Sequence, residues 1–316
     1  MDTIMGRWSG NIGLLVLAIL WGTMVPTIGH LLQTWDPLFL AAFRYLGTIP
    51  VLLPALWLRE KANTDRPRPA QWRVWLLGTV GIGGYAGLYT IGVHHSNLVT
   101  AAILSAASPA VATITDWLIF RRTLDRRMVP GLCLAIAGCV LATVDFSAAG
   151  SIFDLRGGEI LILAAFTCWS WYSTAAQRWL HGWSQLRISA VTMSMGGIGL
   201  SVAYLIAAGL GAAGFPPPVP PTGLDVFLMA WLTLALVATG VFLWNYGVKR
   251  SGVVVASLYL NLTPVVAIAI LAFWAGVVPN WQQVGGGALV IFGILLAELR
   301  LMKARPLPEA PEPAHL

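Results

Sequence analysis

Charged residues are scarce in this chain, and their scarcity restricts the classes of protein it can belong to. Only 10% of the 316 residues are charged, whereas 57% are hydrophobic and the mean hydropathy is +0.76. A soluble domain needs a charged and polar shell that this composition does not supply. The hydrophobic residues also occur in long blocks separated by short polar connections, which is typical of helices that cross a bilayer.

Cysteine and the short motifs of enzymes are equally scarce. The three cysteines, Cys133, Cys139 and Cys168, lie inside hydrophobic blocks and have neither C-x-x-C nor zinc-site spacing. There is no G-x-S-x-G, H-E-x-x-H or P-loop motif. We therefore predict no catalytic residues, no metal and no cofactor, and we do not expect an enzyme.

The net charge of +6 does not indicate nucleic-acid binding, because the basic residues are not gathered on one surface among exposed aromatics. The partners predicted from the sequence are the lipid bilayer and a small-molecule substrate, and the oligomeric state stays open.

The hydrophobic blocks predict an all-α integral membrane protein with ten transmembrane helices. A hydrocarbon core of about 30 Å needs about 20 helical residues. Windows of that size fall at residues 10–31, 37–58, 71–93, 97–119, 128–145, 158–178, 185–208, 224–247, 252–275 and 282–299.

Lysine and arginine residues predict the orientation of these spans. Of the 19 basic residues, all except Arg44 and Arg156 fall in connections on one side of the predicted membrane. Positively charged connections stay in the cytoplasm. Both termini are therefore predicted to be cytoplasmic, which requires an even number of spans.

The chain contains an internal repeat. At an offset of 155 residues the last three predicted spans of each half align without a gap, with matches that include Gly92 on Gly247, Pro109 on Pro264, Gly131 on Gly286 and Gly138 on Gly293. At an offset of 148 the first spans align, with Trp21 on Trp169. We predict one five-helix repeat in 1–147, a second in 148–300, and a cytoplasmic tail in 301–316.

Five spans per repeat place the second repeat in the membrane upside down relative to the first. Inverted repeats are typical of secondary transporters that alternate access to a central site. The alternative is that the duplication merely builds a stable bundle.

The chain resembles the EamA-type members of the drug/metabolite transporter superfamily over essentially its whole length. The resemblance is carried by segments in both halves: Leu20-Trp21-Gly22-Thr23, Ala41-Ala42-Phe43-Arg44-Tyr45, Ser108-Pro109, Thr263-Pro264, and the glycine-rich stretches Gly131 to Gly138 and Gly285 to Gly293. Many members end the fourth and ninth spans with a Gly-Glu pair, where this chain has Arg121-Arg122 and Gly276-Val277.

The resemblance implies a bacterial inner-membrane protein that moves small polar or amphipathic metabolites. An amino-acid or metabolite exporter or exchanger is the first expectation. A nucleotide-sugar or sugar-phosphate exchanger and a drug efflux carrier are the alternatives, and a channel or a membrane-embedded enzyme would be a different class.

Arg44 is the one basic residue well inside a predicted span, where a charge is costly without a partner or a wet cavity. At 1.5 Å per residue it lies roughly 10 Å below the outer edge, whereas Asp116 lies roughly 28 Å down its own span, so the two cannot pair. Arg44 could hold a substrate carboxylate. Alternatively, it bonds backbone carbonyls or forms an outer gate.

Asp116 is the plainest candidate for proton coupling, although Arg121 and Arg122 follow it by about a turn. An ordinary carboxylate near the cytoplasmic interface is the other interpretation. Pro109 and Pro264 are predicted to kink their helices, since each frees a carbonyl four residues back. They are either paired hinges or static kinks.

Aromatic, hydroxyl and amide side chains deep in the spans are the further candidates for a substrate cavity. With Arg44, they are Trp21, Tyr85, Tyr89, Ser105, Trp169, Tyr172, Asn245, Tyr259 and Asn261. An amide is costly in lipid, so each asparagine either contacts a ligand or bonds a neighbouring helix.

Overall fold

A computed structural model describes residues 2–60, 69–121, 126–143, 156–215, 217–240, 243–244, 246–247 and 259–304. Regular secondary structure in these residues is helical throughout. The helices are α1 (Asp2–Gly22 and Met24–Leu31), α2 (Pro37–Leu46 and Ile49–Glu60), α3 (Gln71–His94), α4 (Leu98–Ala106 and Ser108–Phe120), α5 (Val129–Ala142), α6 (Gly158–Trp179), α7 (Gln185–Gly209), α8 (Gly223–Thr239), α9 (Leu262–Ala275) and α10 (Trp281–Ala304).

Helix length and hydropathy identify membrane-spanning helices among those described. Four helices, α1, α2, α3 and α7, are long and apolar enough to cross a bilayer, and the two bent parts of α4 together make a fifth. Helix α5 has 14 described residues and α9 has 14, which is about 21 Å at 1.5 Å per residue. The chain is therefore an all-helical protein with membrane-spanning apolar helices, and the count of ten spans remains a prediction.

The outer surface of the bundle is apolar. Large hydrophobic side chains are exposed on several helices, including Trp57 on α2 and Phe273 on α9, which is 93% exposed. A soluble protein rarely leaves so many large apolar groups in water, whereas lipid tails solvate them. The exposed faces are therefore the lipid-facing faces.

Short polar side chains at the N-termini fix where several helices begin. The carboxylate of Asp36 accepts a hydrogen bond of 2.8 Å from the backbone N–H of Leu38, and Pro37 occupies the first turn of α2. Asn97 caps α4 in the same way, and Thr222 with Asp225 forms a capping box at the start of α8. These caps satisfy backbone N–H groups that have no intrahelical acceptor.

Helices α5 and α10 are antiparallel and lie in backbone contact. A Cβ atom on Gly138 would lie 2.6 Å from the carbonyl oxygen of Gly286, and one on Gly293 would lie 2.5 Å from that of Gly131. Only glycine allows two helices to approach so closely. The 155-residue offset exchanges the two contacts, because it relates Gly131 to Gly286 and Gly138 to Gly293.

The repeat also relates two further close contacts, one between the segment after Leu46 of α2 and α8, and one between α3 and α7. A Cβ atom on Gly47 would lie 2.6 Å from the Cγ2 of Thr233, and one on Gly78 would lie 2.5 Å from the Cβ of Met195. The offset of 148 residues relates Gly47 to Met195, and the offset of 155 relates Gly78 to Thr233, so the two contacts are equivalent. Packing thus repeats between the halves even where the residue types differ.

Helices α3 and α8 each contain a π-helical segment, Leu77–Gly84 and Trp231–Thr239. The 155-residue offset places one segment on the other to within a residue. Such segments are rare and are frequently found at functional sites. The segment of α3 ends just before Tyr85, and the segment of α8 includes Leu236 and Val237; all three residues line the central cavity described below.

Helix α4 is bent by 54° at the break between Ala106 and Ser108, next to Pro109. Pro264 lies in the first turn of α9, immediately after the turn at Asn261. Each proline is therefore close to a helix break, while a hinge role for either residue remains a prediction.

The C-termini of α4 and α9 are also repeat-related. Arg121 has φ 52° and Gly276 has φ 65°, and their backbone N–H groups donate to the carbonyls of Asp116 and Leu271. Both positions are left-handed caps, which normally carry glycine. Arg121 therefore bears backbone strain at the position where its equivalent has none.

We expect Arg121→Gly to raise the free energy of unfolding by about 1 kcal/mol, because glycine adopts a positive φ without the Cβ clash. Thermal unfolding of the purified protein in detergent measures the change. Gly276→Ala is the reciprocal variant and should lower stability by a similar amount. A lower melting temperature for Arg121→Gly would contradict the strain argument.

Candidate functional site

A cavity of about 140 Å³ lies at the centre of the bundle. Side chains from α1, α2, α3, α4, α6, α7, α8 and α9, together with Leu260 just before α9, form its wall. The lining residues are Trp21, Met24, Val25, Arg44, Tyr45, Tyr85, Tyr89, Ala102, Ser105, Ser108, Phe166, Trp169, Met193, Leu236, Val237, Leu260, Thr263, Pro264 and Ala267. A largely apolar cavity with a few polar groups is the usual form of a small-molecule site.

Arg44 is the charged residue in this wall. It is only 1% exposed, and its guanidinium lies 5.1 Å from the ring centre of Tyr45. Its Nη1 contacts the Sδ of Met24 at 3.9 Å, and within the described residues its Nε and Nη2 have no hydrogen-bond acceptor. The backbone bonds that could have explained its burial are therefore absent from the described part of the chain.

Aromatic rings form one side of the cavity. The ring of Tyr85 lies 5.1 Å from that of Trp169 and 5.6 Å from that of Tyr89, centre to centre. The hydroxyl of Tyr89 shares a 3.1 Å hydrogen bond with Ser105. Trp21 also lines the cavity, and its Nε1 donates to the carbonyl of Leu236 in the π-helical segment of α8, at 3.0 Å. These bonds fix the rings that face the cavity.

The cavity is lined by residues from both halves of the chain. Under the offsets found in the sequence, several lining residues are equivalents of one another. The equivalent pairs are Trp21 and Trp169, Tyr45 and Met193, Ser105 and Leu260, and Ser108 and Thr263. Arg44 departs from this symmetry, because its equivalent at an offset of 148 is Thr192, which bonds Tyr172 instead.

The described acidic side chains lie outside the cavity wall, and each has a partner elsewhere. Asp36 caps α2, Glu60 pairs with Arg187, Asp116 accepts a 2.8 Å hydrogen bond from Thr174, Glu159 accepts one from Ser96, and Asp225 pairs with His30. The cavity wall therefore carries a positive charge that these carboxylates do not neutralise.

Six of the predicted cavity residues line the cavity: Trp21, Arg44, Tyr85, Tyr89, Ser105 and Trp169. Three others lie elsewhere. Tyr172 bonds Thr192 between α6 and α7, and Tyr259 packs against the cluster of Leu14 and Leu17. Asn261 is buried, and its Nδ2 has no partner in the described residues, but it does not line the cavity. Asn245 lies outside the described residues.

Of the two prolines, Pro264 lines the cavity and Pro109 does not, although the preceding residues Ser108 and Thr263 both do. Sequence reasoning did not single out the hydroxyl of Ser108. A signal for it was available, because Ser108 and Thr263 are equivalent polar residues beside duplicated prolines. The aliphatic part of the wall, such as Leu236 and Ala267, has no distinguishing signal in the sequence.

Within the described residues, no group of three or more His, Cys, Asp or Glu side chains comes together as a metal site would require.

Comparison with known proteins identifies the family. The profile of the EamA-like transporter family matches residues 8–144 and 156–299, one copy in each half. The chain is 28% identical over 282 residues to "Uncharacterized transporter YyaM" of Bacillus subtilis, covering 86% of both chains. It is 26% identical to "Probable terminal-alkyne amino-acid exporter" of Streptantibioticus cattleyicolor, covering 92% of this chain and 94% of the relative.

Two further similarities agree with this family. "Uncharacterized inner membrane transporter YedA" of Escherichia coli K12 is 25% identical, with 93% of this chain and 92% of the relative covered. A crystal structure that is 20% identical superposes with a TM-score of 0.66 over 95% of this chain and 100% of that chain, which extends the likeness to the fold. The chain, with its apolar helices, central cavity and two matching halves, belongs to the EamA-like transporter family.

Proposed function

We propose that this protein is a secondary carrier that moves a small amphipathic metabolite across the bacterial inner membrane by alternating access. In this proposal ten spans form two inverted five-helix repeats, and both termini are cytoplasmic. The observation that carries the proposal is the central cavity between the halves, walled by repeat-equivalent residues such as Trp21 and Trp169. A site on the axis that relates two inverted repeats can open to either side by the same motion.

Inversion of the repeats is supported by the packing of α5 against α10. The two helices are equivalent in sequence and antiparallel in space, with Gly131 against Gly293 and Gly138 against Gly286. The matched left-handed caps at Arg121 and Gly276 support the equivalence of the two halves. A bundle that merely grew by duplication would have no need of a cavity on this axis.

The cavity chemistry favours a metabolite without phosphate groups over a phosphorylated one. Arg44 is the charged side chain in the wall, and a sugar phosphate or nucleotide sugar calls for several cations. Similarity to a relative named as an amino-acid exporter makes amino acids and related carboxylates the first compounds to test. The proposal includes binding of the carboxylate by Arg44.

Counterflow in liposomes tests the carrier function. Purified protein is reconstituted and offered labelled amino acids, nucleosides, aromatic acids and amphipathic drugs, with and without unlabelled compound inside. We expect saturable uptake that the internal compound accelerates, because a carrier returns faster when loaded. Protein-free liposomes are the control.

The other outcomes distinguish the rival classes. A channel would give a flux that rises linearly and ignores the internal compound, and an enzyme would alter the compound chemically. If nothing moves while the protein remains folded, the carrier proposal is wrong. Repeating the assay across a pH gradient with wild type and Asp116→Asn tests proton coupling. If Asp116 couples transport to protons, the variant should no longer respond to the gradient.

A further inference from the structure

The charge of the central cavity limits what the carrier can bind, and this inference rests on the proposed function. Arg44 contributes a buried positive charge to the wall. The described carboxylates that could balance it are used elsewhere, as in the Glu60–Arg187 pair and the bond from Thr174 to Asp116. A buried charge needs a counter-charge or hydrogen bonds to offset its desolvation. The described residues of the wall supply neither to two of the three guanidinium nitrogens.

The unused nitrogens are the two that a carboxylate needs. Nε and Nη2 lie on one edge of the planar guanidinium, and their N–H groups point in parallel. Both are buried and have no acceptor within the described residues, whereas Nη1 faces the thioether of Met24. A carboxylate matches such an edge with two parallel charge-assisted hydrogen bonds. The hydroxyl of Thr263, also buried without a partner in the described chain, adds a polar group to the same wall.

The remaining wall fits the carbon body of the ligand. Rings of Trp21, Tyr85, Phe166 and Trp169 line the cavity, with the thioether of Met193 on another side. Such surfaces bind aromatic and aliphatic groups by stacking and dispersion. The described wall contains no carboxylate to receive an ammonium group, and Arg44 would repel one at short range.

We propose that the substrate is an apolar monoanion, an aromatic or aliphatic monocarboxylate without an amino group, bound through its carboxylate by the Nε and Nη2 of Arg44. A zwitterionic amino acid carries the same carboxylate, but its ammonium must lose water in a cavity whose described residues offer no negative charge in return. In the described wall a cationic amine has only the faces of aromatic rings as partners, and the charge of Arg44 repels it. The net charge of the ligand therefore determines its affinity, with the order monoanion, zwitterion, cation.

Three compounds that each carry a phenyl ring but differ in net charge test this order: 3-phenylpropionate, phenylalanine and phenethylamine. 3-Phenylpropionate is phenylalanine without the amino group, and phenethylamine is phenylalanine without the carboxylate. Binding of each to the purified full-length protein in detergent is measured by isothermal calorimetry, which avoids the passive leak of weak acids through liposomes. We expect 3-phenylpropionate to bind at least about tenfold more tightly than phenylalanine, a difference of about 1.4 kcal/mol, and phenethylamine not to bind.

Variants then assign the selectivity to Arg44. Arg44→Gln should weaken 3-phenylpropionate at least about tenfold and reduce the preference over phenylalanine, while Arg44→Lys keeps the charge and should retain part of both. Arg187→Gln removes a cation that pairs with Glu60 outside the cavity, and it should leave the preference unchanged. Size-exclusion elution and thermal unfolding report whether each variant is folded. The order in which the wild type binds the three compounds can be measured without any variant.

The possible failures are distinguishable. Phenylalanine binding as tightly as 3-phenylpropionate, or an unchanged preference in a folded Arg44→Gln, would overturn the monoanion inference and leave the carrier proposal intact. Absence of binding by all three compounds would also overturn it. The carrier proposal itself falls only if the whole counterflow panel fails.

Discussion

Gly138→Ala is expected to destabilise the protein severely, because the added Cβ would lie 2.6 Å from the carbonyl oxygen of Gly286 on α10. Backbone cannot move aside as a flexible side chain can, so the two helices must separate along their contact. Overpacking of this kind costs about 1–3 kcal/mol. Gly293→Ala, which meets the carbonyl of Gly131 at 2.5 Å, should have the same effect, since the repeat relates the two contacts.

Gly285, which lies on α10 with Gly293, provides the control. The Cβ of Gly285→Ala would meet only the Cδ2 of Leu141, at 3.6 Å, which is ordinary contact. Alanine favours a helix over glycine by about 1 kcal/mol, so this variant should be neutral or slightly stabilising. Melting temperature and the yield of monodisperse protein are the measurements. Equal behaviour of Gly138→Ala and Gly285→Ala would refute the close helix contact.

Ala102→Phe is expected to abolish transport without unfolding the protein. Ala102 is buried on α4 and lines the central cavity, so a phenyl ring at this position has the cavity as its available space. With a cavity of about 140 Å³, a ring there takes the volume that the substrate needs. The ring would also keep the halves from closing around the cavity.

Counterflow of a compound that the wild type carries measures the effect, and we expect less than about a tenth of the wild-type rate, or about 1.4 kcal/mol or more in the barrier. Ala102→Ser keeps the side chain small and should retain transport. Ala137→Phe makes the same change at an exposed position of α5 and should be neutral. Normal transport by a folded Ala102→Phe would place the substrate path elsewhere.

The helical architecture could be read largely from local properties of the sequence. Hydropathy depends only on neighbours along the chain, and each predicted span overlaps a described helix. Helix breaks were predictable to a lesser extent. The 54° bend of α4 lies beside Pro109, whose missing N–H is a local property, whereas the π-helical segments of α3 and α8 have no comparable signal.

The candidate site was predictable only in part, for a related reason. Arg44 is conspicuous in any sequence reading, because a lone charge in an apolar span demands an explanation. Tyr172 and Tyr259 are tyrosines deep in predicted spans, as Tyr85 and Tyr89 are, but they face other helices. Which side of a helix faces the centre depends on contacts with helices distant in sequence, and those contacts are not encoded by any short stretch of the chain.

The sequence alone determined the membrane class of this protein, the repetition of its halves and the importance of Arg44, since composition, offset matches and an isolated charge are visible without coordinates. Tertiary structure decided that Arg44, Trp21 and Trp169 share one cavity, and that the acids which might have neutralised the arginine are bonded elsewhere. The physical reason is that a charge is a property of one residue, whereas its compensation depends on every side chain within a few ångströms. That Nε and Nη2 of Arg44 have no acceptor among the residues the structure describes is therefore a finding of the fold, and these two nitrogens are what the carboxylate of a substrate would meet.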